Sequence, residues 1–410
     1  MNKTPSADRT HISFFGLRNT GKSSLVNAVT GQNLSVVSNI KGTTTDPVLK
    51  TMELLPLGPV VIIDTPGFDD EGELGELRVK KTRQILNKTD IAVLVLDGDL
   101  LPENALYCPE TELIGLFKER NIPYIIAVNK CDMLPANNTP DFLPQIIANR
   151  REQAGELILS VSAKSGYNIH LLKEKLAGMM RDEPKQKLTA GLVRPNDFVI
   201  LVIPIDSAAP KGRLILPQQQ MVRDILDSGG AAVAVKETEL KETLAGLGKK
   251  PALVITDSQV FEKVSAIVPQ DIPLTSFSIL FARHKGFLET AVKGAAALDT
   301  LQDGDKILIA EGCTHHRQCD DIGTVKLPRM IRAHASKEPD FSFCSGGDFP
   351  DDIKPFKLVI HCGACMLNRR ETEYRRRHCE SQNIPFTNYG ITIAHIHGIL
   401  KRSIAMINLD

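Results

Sequence analysis

Tryptophan is absent from the 410 residues, and aromatic residues as a group make up only 5%. So few flat rings argue against a stacking platform for single-stranded nucleic acid. Neither sign of charge is in excess: 49 Lys and Arg balance 49 Asp and Glu. The long-range field that draws a protein to polyanions or to an anionic membrane is therefore missing. Apolar runs such as Phe198–Ile205 fall well short of the roughly 20 residues that span a bilayer. The opening MNKTPSADRT lacks the apolar core of a signal peptide. A cytoplasmic location is expected, with no membrane and no nucleic-acid partner.

Cysteine is sparse too, but it is unevenly spread. Cys108 and Cys131 lie in the first third, whereas Cys313, Cys319, Cys344, Cys362, Cys365 and Cys379 crowd into the last quarter. In a reducing compartment such thiols serve metals rather than disulfides.

What is there is an alternation of short apolar runs with helical patterns, which predicts an α/β fold of mainly parallel sheets with flanking helices. The first runs are His11–Phe15, Val60–Ile63, Ile91–Leu96, Tyr124–Val128 and Leu157–Val161. Each stops at a residue with chemical potential: Gly16, Asp64, Asp97, Asn129, Ser162. Open parallel sheets bind ligands at the C-terminal ends of their strands, so this order is itself structural information. Three domains are expected, over 8–180, 198–270 and 271–410, with 181–197 as a linker. The middle one reads as strands Phe198–Ile205, Ala231–Val235 and Ala252–Thr256, with helices around Gln218–Leu226 and Lys236–Leu247. It holds no Cys, no His and no phosphate loop, which suits a subunit contact. The last has strand-like runs at Lys306–Ala310, Lys357–Ile360 and Ile391–His395.

The segment from Gly16 to Ser23, GLRNTGKS, fits G-x-x-x-x-G-K-[ST] and sits between a strand and an apolar-periodic helix, as that motif requires. Backbone N–H groups of such a loop curl round a phosphate, and the helix N-terminus adds positive potential. The candidate phosphate set is Gly16, Asn19, Thr20, Gly21, Lys22, Ser23 and Ser24, with Lys22 on the β- and γ-phosphates and Ser23 on Mg²⁺. In the loop KGTTTD, Thr44 is placed to complete the Mg²⁺ shell. In DTPG, Asp64 stands behind the metal and the Gly67 N–H faces the γ-phosphate. In NKCD, Asn129 and Lys130 flank the base, and Asp132 accepts from guanine N1–H and N2–H₂; adenine would leave that carboxylate unpaired. Ser162, Ala163 and Lys164 close the base pocket. Together these motifs form a GTP-binding signature, with Lys22, Thr44, Gly67 and Asn19 as the catalytic candidates.

Residues 10–180 resemble the TrmE/Era-like small GTPases, and the tRNA-modification members carry a similar G-T-T-x-D loop. The resemblance implies a P-loop small-GTPase fold. Phe68 follows D-x-x-G, where many small GTPases place the Gln that orients water. Asn19 occupies the position at which potassium-activated relatives ligate K⁺. A slow, K⁺-stimulated GTPase is expected; the alternative for Asn19 is a loop-stabilising role.

At the other end, Lys306–Ala310 runs into Glu311-Gly-Cys313-Thr-His315-His316, and Lys357–Ile360 into His361-Cys362-Gly-Ala-Cys365. If both strands share a parallel sheet, Cys313 and Cys362 emerge on one edge and Cys365 opens the next helix. The donor set leaves both an iron–sulfur cluster and a zinc site open. The pattern C-x-H-x45-H-C-x-x-C, behind a GTPase domain and an α/β spacer, resembles the FeFe-hydrogenase maturation GTPases of the HydF family. That resemblance covers essentially the whole chain. It implies a 4Fe–4S cluster on Cys313, Cys362 and Cys365, with His315 and His361 as site residues. It further implies a middle domain that dimerises, and a scaffold that carries a di-iron precursor to apo FeFe hydrogenase. Radical-SAM maturation proteins are the implied partners, and a homodimer or tetramer the implied assembly. A carrier needs an exchangeable fourth ligand; His315, His361, Asp320 and Asp321 are the candidates, with Asp320 or a histidine favoured. Cys319 is an extra thiol that would close the site if it bound tightly.

Cys344 and Cys379 read as passive, and His395 and His397 as an edge or core pair on a half-buried strand. The run Arg369–Arg377 reads as a solvated helix face with i,i+4 pairs, the alternative being a positive rim for an anionic cargo or an acidic partner. Two rival functions remain: a tRNA-modification GTPase, and a zinc-stabilised GTP-regulated adaptor.

Overall fold

A computed structural model of the chain describes residues 5–32, 47–68, 73–98, 108–133, 157–180, 187–205, 214–312 and 321–407. The molecule divides into two units, residues 1–182 and 183–410.

The first unit is built on a six-stranded sheet of β1 (Thr10–Phe15), β2 (Val48–Leu54), β3 (Gly58–Asp64), β4 (Ile91–Asp97), β5 (Tyr124–Asn129) and β6 (Leu157–Ser160), in the order β2-β3-β1-β4-β5-β6. All neighbours are parallel except β2 and β3. Burial on both faces explains the unbroken apolar runs. Ile91, Val93 and Val95 face one core with Leu25 and Leu172, while Ala92, Leu94 and Leu96 face a second core with Ile85 and Phe117. That is the period-two rule of a strand covered on both sides.

The second unit carries two four-stranded sheets. One comprises β7 (Phe198–Val202), β8 (Ala231–Val235), β9 (Leu253–Thr256) and β10 (Leu274–Ser276), in the order β10-β9-β7-β8. The other comprises β11 (Lys306–Glu311), β12 (Asp340–Ser345), β13 (Leu358–His361) and β14 (Phe386–Asn388), in the order β12-β11-β13-β14. Both are wholly parallel. A continuous apolar core runs through the unit from Leu188 to Ile407.

Three expectations need correction. The linker over 181–197 does not extend to its stated end: Leu188 and Val193 are buried, and the N–H groups of Leu188 and Thr189 donate to the Asp224 carboxylate at 2.9 Å each. The boundary at 270 cuts the middle sheet, whose edge strand β10 lies beyond it. The run Ile391–His395 is not a strand but part of the helix Tyr389–Ile396, capped by Asn388, whose Oδ1 accepts from the Ile391 N–H at 2.9 Å. Its residues from Tyr389 to Ala394 are all buried, so no amphipathic period marked it as helical.

One contact inside this unit requires glycine. The helix Leu288–Ala295 presses on β14 so closely that a Cβ on Gly294 would lie 2.1 Å from the Phe386 carbonyl oxygen. Gly294→Ala gains up to about 1 kcal/mol of helix propensity, but the clash is with backbone and overrides it. A net loss of roughly 1–3 kcal/mol is expected in denaturant unfolding; an unchanged midpoint would contradict the close approach.

Candidate functional site

The phosphate loop follows β1. Gly16 takes φ 147°, and a Cβ there would sit 2.3 Å from the Val95 carbonyl oxygen. Gly21 takes φ 82°, with the Asn129 amide nitrogen 2.3 Å from where its Cβ would be. Both positions need glycine for conformation and for room. Asn19 is exposed and left-handed at φ 58°. Thr20 is buried, and its hydroxyl donates to the Leu17 carbonyl at 3.1 Å. Lys22 is buried, and its Nζ donates to the Gly16 and Leu17 carbonyls at 3.0 and 2.6 Å, which holds the ammonium inside the loop. Ser23 and Ser24 follow in the first turn of the helix Lys22–Thr30.

Ser23 Oγ donates to Asp64 Oδ2 at 2.6 Å, and the buried Asp64 Oδ1 has no hydrogen-bond partner among the described residues. A buried carboxylate oxygen left over beside a hydroxyl fits the shell of a hydrated Mg²⁺. Gly67 lies in the short segment after β3, and Phe68 is packed in the apolar core. Thr44 and the rest of the 41–46 loop lie outside the described residues.

On the base side, Asn129 ties three loops together. Its Nδ2 donates to the Thr20 carbonyl at 3.0 Å and its Oδ1 accepts from the Ala163 N–H at 3.1 Å. Lys130 pairs with Asp97. Ser162 Oγ donates to Asp132 Oδ1 at 2.6 Å and accepts from the Ser165 N–H at 3.0 Å, so the exposed Asp132 carboxylate is oriented. Lys164 is exposed at the rim.

In the second unit, β11 and β13 are neighbours with Ala310 opposite His361. Their C-terminal ends lie on one sheet edge, as the thiol geometry requires. Cys362 Sγ accepts from the Gly312 N–H at 3.1 Å and the Ala364 N–H at 3.4 Å. Burial pushes this thiol's pKa up, and those two N–H groups oppose the shift. Ala364 is left-handed at φ 57° and fully buried. Cys365 lies in the turn after it, not in the following helix, which begins at Arg369 beyond its cap Asn368. Lys285 braces this turn from the helix Phe277–Lys285, donating to the Leu367 carbonyl at 2.9 Å. Cys313, His315, His316, Cys319 and Asp320 lie outside the described residues.

His361 is fully buried, with Nδ1 2.9 Å from the Cys362 carbonyl and Nε2 3.0 Å from Arg375 Nη1. Burial, then the Arg375 guanidinium, pushes its pKa down to about 3. The ring is neutral, donates from Nδ1 and accepts at Nε2. Both ring nitrogens are thus engaged by protein, Nδ1 with the Cys362 carbonyl and Nε2 with Arg375. Asp321 is turned to local use: its Oδ2 accepts from the Thr324 N–H and hydroxyl at 2.8 and 3.0 Å. Burial pushes the Cys344 thiol up to about 11 and the Cys379 thiol up to about 12, so both stay protonated.

Two residues here escaped sequence reasoning. Arg375, inside a run that reads as solvated, is buried. Its Nη2 donates to Glu371 Oε1 at 2.7 Å and to the Gly346 carbonyl. Its neighbours Arg376 and Arg377 do pair on the helix surface with Glu373. Glu311, the last residue of β11, is buried and accepts from the Tyr389 hydroxyl at 3.1 Å. The signal for Arg375 was available: four residues separate it from Glu371 on one helix face.

Residues 11–130 match the family model of the 50S ribosome-binding GTPases. The chain is 33% identical over 203 residues to the tRNA modification GTPase MnmE of Endomicrobium trichonymphae, covering 48% of this chain and 41% of that protein. It is 32% identical over 179 residues to GTPase Der of Wolinella succinogenes, covering 43% of this chain and 36% of that protein. It thus spans less than half the length of these curated relatives. Fold, phosphate loop and relatives define the first unit as a P-loop GTPase domain. Residues 188–286 match the hydrogen maturase F dimerization domain and residues 289–406 its tetramerization domain, together more than half of the chain. The chain belongs to the hydrogen maturase F family. Among the described residues no helix is long and apolar enough to cross a membrane.

Proposed function

We propose that this chain is a GTP-hydrolysing scaffold for the maturation of an FeFe hydrogenase. Cys313, Cys362 and Cys365 hold a 4Fe–4S cluster; the chain carries a di-iron precursor received from radical-SAM partners and delivers it to the apo hydrogenase in the cytoplasm. The observation that carries this reading is the Cys362 sulfur at the shared edge of β11 and β13, with two backbone N–H groups directed at it. Such hydrogen bonds stabilise a thiolate and tune a bound cluster. With His361 engaged elsewhere, the exchangeable fourth position falls to Asp320 or His315. The dimerization and tetramerization domains support assembly of several chains.

Anaerobic reconstitution with iron and sulfide is expected to yield about four iron atoms per chain and a 4Fe–4S signal in EPR after reduction. Both should be lost in Cys362→Ser and Cys365→Ser. Zinc in place of iron, or a cluster that survives both substitutions, would reject the reading.

The GTPase site binds GTP and Mg²⁺ through Lys22, Ser23, Thr44 and Asp64, and K⁺ through Asn19. A monovalent cation at the bridging oxygens would offset charge developing there, with Phe68 standing where many small GTPases place a Gln. Replacing K⁺ by Na⁺ is expected to slow hydrolysis about tenfold or more; an equal rate in the two salts removes K⁺ from Asn19.

A further inference from the structure

We propose that Asp299, His334 and His395 form a second metal site, for a divalent transition ion of the zinc class, separate from the thiol edge. The side chains come from three elements: the 3-10 turn Ala296–Thr300, the helix Leu327–Ala335 and the helix Tyr389–Ile396. Their ligand atoms all lie within 4.8 Å of one another. His334 Nε2 is 2.9 Å from Asp299 Oδ1, and His395 Nε2 is 3.0 Å from the same oxygen. The two rings meet edge to face, with centroids 5.8 Å apart.

The topology puts this cluster at the opposite end of the sheet from Cys362. Asp299 precedes the start of β11, and His334 lies just before the return to β12, while the helix bearing His395 runs back from the end of β14. Both histidines are in the last turns of their helices, where the macrodipole favours a cation. Zinc binds imidazole nitrogen and carboxylate oxygen at about 2.0–2.2 Å, which sets ligand atoms roughly 3.3 Å apart around a tetrahedron. His395 Nε2 is also 3.0 Å from Asp299 Oδ2, and opening the Oδ1 contacts by a few tenths of an ångström gives that spacing between the oxygen and each nitrogen. A bound ion would take the Nε2 lone pair of each imidazole, with the ring proton on Nδ1. The side chains are partly open, at 24% and 21% exposure for the histidines and 52% for Asp299, so water can reach the remaining vertex. Nitrogen and oxygen donors without sulfur select Zn²⁺ or Co²⁺ rather than a thiophilic ion. The ion would pin three segments far apart in sequence. This inference is independent of the cluster reading.

The test uses the full chain with Cys313, Cys362 and Cys365 changed to Ser, so that the thiol edge takes no metal; circular dichroism and GTP binding verify its fold. Titration with Co²⁺ alone is expected to give one equivalent with visible d–d bands and no thiolate charge-transfer band. Zn²⁺ should displace it and raise the thermal midpoint. Adding His334→Ala or His395→Ala should weaken binding more than about tenfold. Asp299→Asn keeps the side-chain shape and should weaken it as well, which covers the case in which a histidine variant fails to fold. His397→Ala should leave binding unchanged, because His397 faces Glu262 at 3.6 Å instead. Absence of stoichiometric Co²⁺ binding, or binding indifferent to the His and Asp substitutions, overturns the site.

Discussion

Asp132→Asn is expected to cost GTP affinity roughly 10²- to 10⁴-fold while creating affinity for xanthosine triphosphate. The carboxylate is exposed and is oriented through the Ser162 hydroxyl at 2.6 Å, so the change disturbs little of the fold. What it disturbs is the pairing with guanine. Two charge-assisted hydrogen bonds, from N1–H and N2–H₂, are worth about 1.5–3 kcal/mol each, and every 1.4 kcal/mol is tenfold in affinity. An amide accepts only one of those bonds and turns its own N–H₂ against the guanine amino group. Xanthine replaces that amino group by a carbonyl, which the Asn amide can serve. Ser162 still has an oxygen to donate to, so the side chain keeps its aim. Nucleotide titration by fluorescence competition checks both halves. GTP affinity unchanged within a few fold, with no gain for the xanthine nucleotide, would move the base pocket away from Asp132.

The strand ends that carry the nucleotide motifs were readable because apolar runs stop there. Gly16 follows β1, Asp64 and Asn129 close β3 and β5, and Asp97 closes β4, where Lys130 pairs with it. A strand buried on both faces is conspicuous in sequence, and its C-terminal end marks where a ligand goes. The strands that escaped notice lack that contrast. β2 is an edge strand with most of its residues exposed or half-exposed; β12 is likewise open, and β14 has only three residues. The reverse error came at Tyr389–Ile396, where burial all round erased the helical period. Clusters assembled from distant segments were beyond reach altogether. Asp299, His334 and His395 are brought together by packing among a turn and two helices, which no spacing rule encodes.

Arg375 is the clearest case of a residue whose role is set by packing, and Arg375→Ala is expected to destabilise the second unit by about 3–5 kcal/mol, the usual cost of breaking a buried ion pair from one side. Its guanidinium is 1% exposed and lies 5.2 Å from the Phe349 ring centroid. Truncation strips partners from Glu371 Oε1 and the Gly346 carbonyl and leaves a cavity behind. It also removes the donor that fixes the His361 tautomer, since Nε2 accepts from Arg375 only when the proton rests on Nδ1, facing the Cys362 carbonyl. The thiol loop then loses the fixed contact of the His361 ring with the Cys362 carbonyl. A reconstituted cluster should accordingly surrender iron to a chelator faster, by about 10- to 100-fold if the support acts like other outer contacts of metal ligands. Arg375→Lys keeps the charge but offers no fork, and should fall between the parent and the alanine variant. Arg377→Ala is the control: its side chain is 65% exposed and paired with Glu373, so its removal should cost no more than about 1 kcal/mol. Denaturant unfolding ranks the three. An Arg375→Ala protein within 1 kcal/mol of the parent, holding iron as tightly, would show that neither the buried pair nor the histidine behind Cys362 supports the site.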